Sequence, residues 1–129
     1  MEVSQVSSGA LAFVGDALWS LQVRKYLLEK GIQKPNDLQR QSIRFVSAHA
    51  QASFVRLLED REWMNQCEHD VYRRGRNYKS ETKAKNADIV TYRIATGFEA
   101  LVGYLYLKKE MDRFEELWNL IRDEMEKAI

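Results

Sequence analysis

The stretch IATGFEALVGYLYL, Ile94 to Leu107, contains a single ionisable side chain, Glu99. It has no proline and no Asn-Gly or Asp-Gly turn signal, so it reads as one long, very apolar helix beginning at Asn86 or Asp88 and running to about Lys108. A second run of the same kind, ALAFVGDALWSL from Ala10 to Leu21, contains only Asp16. Outward from these two, helical periodicity continues through nearly the whole chain. Ser7 or Ser8 caps a first helix that ends near Lys30 and Gly31. Pro35 opens a second, and Ser47 caps a third, AHAQASFVRLLED. A fourth runs through EWMNQCEHDVYRR to Gly75, and a basic segment, 75–87, forms the one long loop. Asp112 caps the last helix, which carries Phe114, Leu117, Trp118, Ile121 and Met125 on one side. The predicted fold is an all-α single domain spanning 1–129, with about six or seven helices.

Composition agrees with a packed domain. Of the 129 residues, 45% are hydrophobic and 30% charged, which excludes a disordered chain. The single Cys67 supplies neither a disulfide framework nor a metal cage and fits a reducing cytoplasm. The opening MEVSQVSSGA has no charged leader or apolar run, so no signal peptide is expected, and no stretch is long enough to span a bilayer.

Asp16 and Glu99 stand out because acids are rarely placed in apolar helices without partners: removing a carboxylate from water costs several kcal/mol unless a counter-charge compensates. Each has a glycine nearby, Gly15 and Gly97, which lets backbones approach and brings the side chains together. Two converging carboxylates repel, and a divalent cation with oxygen preference, Mg²⁺ or Mn²⁺, is their natural partner. The plainer alternative is a pair of acids at helix edges, satisfied by water or arginine.

Charge is unevenly spread. From Arg73 to Lys85 the chain reads RRGRNYKSETKAK, with Arg73, Arg74, Arg76, Lys79, Lys83 and Lys85 against Glu81 alone, a local +5 within a net +1. Such density suits a polyanion, and Tyr78 adds a stacking surface, although a solvated charged loop has the same composition. Cys67, Glu68, His69 and Asp70 lack zinc spacing. His49 reads as packed or water-facing, and Trp19, Trp63, Trp118, Tyr104 and Tyr106 as core or dimer surface.

With these residues in view, LAFVGDALWSL resembles the ribonuclease III signature, in which a Phe-Leu-Gly-Asp core opens the catalytic helix, and TGFEALVGYLYL resembles that family's second motif. The segment RRGRNYKSETKAKNADIVTYRIATGFEALVGYLYL is similar to the Mini form of the family, the catalytic domain without a double-stranded-RNA-binding domain. The resemblance implies an all-α homodimer cutting double-stranded RNA with Mg²⁺, for which Mn²⁺ substitutes, leaving 5′-phosphates. It also implies precursor 23S ribosomal RNA as substrate, allows a ribosomal-protein cofactor, and places the protein in the cytoplasm. It makes Asp16 and Glu99 both catalytic residues and metal ligands, and Arg73, Arg74, Arg76, Lys79, Lys83 and Lys85 the RNA-binding set. The family's full-length enzymes carry further acids where this chain has Gly9, Ala12 and Thr96. Asp88 lies eleven residues before Glu99, roughly 16 Å along a helix, too far to replace them. That points to one ion per site, held mostly by water and phosphate. Two other readings stand beside this one: a non-catalytic ribonuclease III fold that binds structured RNA, and an all-α nucleotide pyrophosphohydrolase.

Overall fold

The computed structural model describes residues 1–78 and 88–127. After a 3-10 turn at Val3–Gln5 come six α-helices among the described residues: α1 Ser8–Glu29, α2 Pro35–Val46, α3 Ala48–Asp60, α4 Gln66–Arg76, α5 Asp88–Leu107 and α6 Met111–Lys127. No strand occurs among them.

Local chemistry explains the boundaries. The Ser7 hydroxyl accepts a hydrogen bond from the Ala10 amide at 3.2 Å and starts α1. Pro35, with its fixed φ and no amide donor, begins α2. Ser47 closes α2 and caps α3, accepting from the Ala50 amide at 3.1 Å. Two expected starts shift. Helix α4 begins at Gln66, not near Trp63, because Asn65 and Glu68 form a reciprocal capping box there. Helix α6 begins at Met111, so Asp112 sits inside its first turn, where a carboxylate still favours the helix dipole.

Helix α5 packs against α1, α3, α4 and α6. This explains why its sequence is apolar on nearly every side. Trp19 of α1, fully buried, is the hub of the core, with ring centroids 4.9 Å from Phe98, 5.4 Å from Trp118 and 5.9 Å from Phe54. Its indole N–H donates to the Phe45 carbonyl at 2.9 Å, so the largest core side chain carries no unpaired polar group. Phe114, Leu117, Trp118 and Ile121 of α6 are buried as its periodicity predicts.

The α1–α5 crossing is a backbone-to-backbone seam. A Cβ at Gly15 would overlap the Glu99 carbonyl oxygen, and one at Gly103 would overlap the Leu11 carbonyl oxygen. The expectation for Gly15 is met. Gly97, however, faces Tyr72 of α4, where a Cβ would come within 2.8 Å of the ring, and the partner of Gly15 on α5 is Gly103.

Candidate active site

The glycine seam decides where two side chains go. Asp16 follows Gly15 directly, and Glu99 lies one turn before Gly103, so the close approach of α1 and α5 brings the two acids to the same edge of the crossing. Both line a cleft of about 440 Å³. Neither is deeply buried by solvent exposure: Asp16 is exposed and Glu99 half-buried. Each therefore reaches water as well as the other.

Desolvation is the largest influence on Glu99, and the Asp16 carboxyl beside it adds a hydrogen bond and like-charge repulsion; together they push the Glu99 carboxyl up to about 8. A hydrogen bond from the Gln51 carboxamide acts in the opposite direction. The two carboxyl groups thus lie within reach of each other. Among the described residues, neither carboxylate has an ion-pair partner.

The same cleft is lined by Gly9, Ala12 and Thr96, the three positions at which the sequence lacks further acids. Thr96 is neutral there as well, since its hydroxyl donates back to the Tyr92 carbonyl at 3.1 Å. Gly9 lies under the Tyr78 ring, where a Cβ would come within 2.7 Å of the ring carbon Cζ. No cluster of three or more potential metal ligands occurs among the described residues. The site is a two-carboxylate site among the described residues, with Phe13, Tyr78 and Tyr92 on its rim.

Arg73 and Arg74 are in the last turns of α4, as expected, and Arg76 ends that helix rather than opening the loop. There the basic side chains also complement the helix C-terminus. Arg73 pairs with Asp70 at 3.1 Å, and the Arg76 guanidinium lies 5.6 Å from the Tyr72 ring centroid. Tyr78, two residues past Arg76, reaches the cleft, so α4 ends beside the carboxylates. Lys79, Lys83 and Lys85 lie outside the described residues.

Two polar side chains that sequence reasoning passed over are buried: Gln51 and Glu68. Both sit in apolar stripes at helical spacing, Gln51 with Phe54, Val55 and Leu58, and Glu68 with Val71, Tyr72 and Gly75. A polar residue inside such a stripe is the signal that identifies them. His49 is exposed, its Nε2 3.6 Å from an Asp88 carboxylate oxygen. Cys67 is exposed and Glu68 turns inward, so the Cys67–Asp70 quartet converges on nothing.

Comparison with known proteins gives one consistent result. The family model described as the ribonuclease III domain matches residues 9–110. The chain is 45% identical over 117 residues to a Mini-ribonuclease 3 of Streptococcus pneumoniae, covering 91% of each chain. It is 48% identical over 118 residues to one of Enterococcus faecalis, covering 92% of this chain and 89% of the other. In structure it is similar to a Fusobacterium nucleatum protein solved by crystallography, with a TM-score of 0.78, 26% identity, and 99% and 98% of the two chains covered.

Proposed function

The chain belongs to the ribonuclease III family, in its Mini-ribonuclease 3 form, and from that premise we propose that Asp16 and Glu99 are the catalytic pair and hold Mg²⁺ between them. The protein is an endoribonuclease of the ribonuclease III type, whose substrate is double-stranded RNA, and the family depends on a divalent metal. That membership displaces the pyrophosphohydrolase reading and the non-catalytic one.

The observation carrying the proposal is the pairing itself. Two carboxyl groups meet in an open cleft, one of them holding its proton up to about 8 because burial and the neighbouring Asp16 carboxyl both disfavour its charged form. Hard oxygen donors, exposed on one side to water, suit Mg²⁺ or Mn²⁺, which keep several waters and take one or two carboxylates from the protein. The donor set therefore fits the ion. When bound, it supplies Lewis-acid polarisation of the scissile phosphate and a water activated for in-line attack.

The chain's own side chains do the rest. Asp16 and Glu99 fix where the ion sits, on the rigid α1–α5 seam. Gly9, Ala12 and Thr96 leave the cleft uncharged on that side, which favours one ion rather than two. The bond broken joins phosphorus to the ribose 3′ oxygen, leaving a 5′-phosphate and a 3′-hydroxyl. Arg73, Arg74, Arg76, Lys79, Lys83 and Lys85 bind the phosphates and read the shape of an A-form duplex more than its bases.

We further infer a homodimer that sets two such sites across the duplex, one per strand. Phe13 is 81% exposed at the cleft rim and Leu21 65% exposed two turns along the same face of α1, an apolar stripe that a second copy covers. Precursor 23S ribosomal RNA in the cytoplasm is the natural substrate on this reading, with a ribosomal protein as an allowed cofactor. The test is cleavage of end-labelled duplex RNA with and without Mg²⁺, beside Asp16→Asn. Cleavage by the wild type with Mg²⁺ only, and none by the variant, supports the reading; cutting by Asp16→Asn removes Asp16 from the mechanism.

A further inference from the structure

Gln51 is 2% exposed, on a helix face whose other members, Phe54, Val55 and Leu58, are core hydrocarbons. A carboxamide buried without partners destabilises the fold, so its hydrogen bonds decide whether it belongs there. Its Nε2 donates to the Val46 carbonyl at 3.4 Å, the long end of the range. Val46 is the last residue of α2, where helix carbonyls have no partner within their own helix. Helix α3 packs against α5, and there the same carboxamide lies beside the Glu99 carboxyl and favours its charged form. One buried side chain thus joins the α2–α3 corner to the acid in the cleft, and no buried side-chain polar atom among the described residues is left unpaired.

We infer that Gln51 is a positioning residue of this site: braced on the Val46 carbonyl, its carboxamide holds the Glu99 side chain in the rotamer that faces Asp16. The inference rests on the reading of Asp16 and Glu99 as the cation-binding pair and adds the residue that pre-orients it. The residue type fits the task. A lysine or arginine at 51 would neutralise Glu99 and compete with the cation. A hydrocarbon would leave a Glu side chain with three rotatable bonds free to swing and an inner oxygen unpaired. A neutral amide occupies one of roughly four acceptor sites of a carboxylate and leaves the others free. Partners of this kind behind a ligand change metal affinity or activity by about 10–100-fold when removed.

The test compares wild type, Gln51→Met and Asp16→Asn. Methionine keeps the length of the side chain and fits the apolar stripe. Mn²⁺ binding without RNA is followed by the electron paramagnetic resonance of the free ion, and cleavage of duplex RNA is followed across a Mg²⁺ series. The expected result for Gln51→Met is Mn²⁺ affinity lower by about tenfold, with the Mg²⁺ midpoint for cleavage raised to match. Its rate recovers at high Mg²⁺, and its KM for RNA stays within about twofold of wild type, as P–O bond cleavage and not duplex binding depends on Glu99. Unchanged Mn²⁺ affinity and an unchanged Mg²⁺ midpoint, with only the unfolding temperature moved, would make Gln51 a structural residue and overturn the inference. If Gln51→Met does not fold, the Gln51 side-chain amide of the wild type is followed by nitrogen-15 NMR during Mg²⁺ addition. A shift that saturates with the ion supports the inference, and no shift refutes it. Asp16→Asn separates the two levels: Mn²⁺ binding and cutting at wild-type strength by that variant would sink the carboxylate pair itself. A dead Asp16→Asn beside an unaltered Gln51→Met would sink the role of Gln51 alone.

Discussion

Glu68 and Glu99 both reach the protein interior, and they are resolved in opposite ways. Glu68, 1% exposed, is held by Arg113, whose Nε and Nη2 donate to its two carboxylate oxygens at 2.8 and 2.6 Å. The guanidinium also donates to the Trp63 carbonyl at 2.9 Å and stacks on the Trp63 ring, 3.7 Å from its centroid. Glu68 further completes the α4 capping box through the Asn65 amide. Every oxygen of this acid is satisfied by the chain, and the result is a clamp between α4 and α6. At the other end of the contrast, Glu99 faces a second carboxylate and one neutral amide. Here the chain has gathered like charge and withheld the cation. On the function proposed above, the charge missing from the second arrangement comes from outside the chain.

This contrast breaks most directly at Glu99 and Arg113. Glu99→Gln should lower duplex cleavage by about three orders of magnitude, in line with the several kcal/mol of charge stabilisation that a metal site supplies. The same change should leave thermal stability unchanged or raised, since it removes repulsion with Asp16. A variant that unfolds early, or still cuts at a hundredth of the wild-type rate, would place Glu99 with Glu68 as a structural acid. Arg113→Ala should do the reverse. It strands Glu68 inside the protein and should cost about 3–5 kcal/mol in urea unfolding, while the folded fraction keeps its cleavage rate. Stability within 1 kcal/mol of wild type would show the clamp to be dispensable.

Gly103→Ala tests the seam that both acids of the cleft depend on. Its Cβ would overlap the Leu11 carbonyl oxygen, so the helices must part, and a loss of about 3 kcal/mol is expected. Cleavage should fall as well, because Glu99 lies one turn away. Full activity in a destabilised Gly103→Ala would show that the acids do not need the close crossing.

The last effect is in pH. The folded protein holds Glu99 protonated up to about 8, against an ordinary value of 4.5. A carboxyl raised in the folded state stabilises fully below its unfolded value, and that contribution is lost as pH rises through its folded value. In chelator, unfolding temperature should therefore decline between about pH 4.5 and 8, and Glu99→Gln should lack that component of the decline. Over the same interval Mn²⁺ affinity should rise, as the ion displaces the proton. An affinity flat across this range would detach Glu99 from the ion.

Much of this was legible in the sequence, for reasons that can be named. Ser7, Pro35 and Ser47 are local signals acting within one helical turn, and the helices begin where they say. Asp16 and Glu99 announced themselves as single charges in apolar runs. Local reasoning failed where the answer lies across the chain. Trp63 and Met64 extend the apolar period of α4 backwards, yet the Asn65–Glu68 box starts the helix later. Gly97 neighbours Glu99 in sequence but turns to Tyr72, a matter of which side of α5 faces which helix. The stripe of Val71, Tyr72 and Gly75 marks Glu68 as inward-facing, but its partner Arg113 lies 45 residues away and no local pattern points to it. Gln51 was hidden because an amide in an amphipathic helix is read as surface until its neighbours at 54, 55 and 58 are counted.

The most direct measurement is the anomalous scattering of a crystal grown with Mn²⁺. One strong peak per chain, with a carboxylate oxygen of Asp16 and one of Glu99 both within coordinating distance, is the predicted result. A cleft without manganese at saturating ion, or a peak elsewhere on the surface and none between these two carboxyl groups, would contradict it.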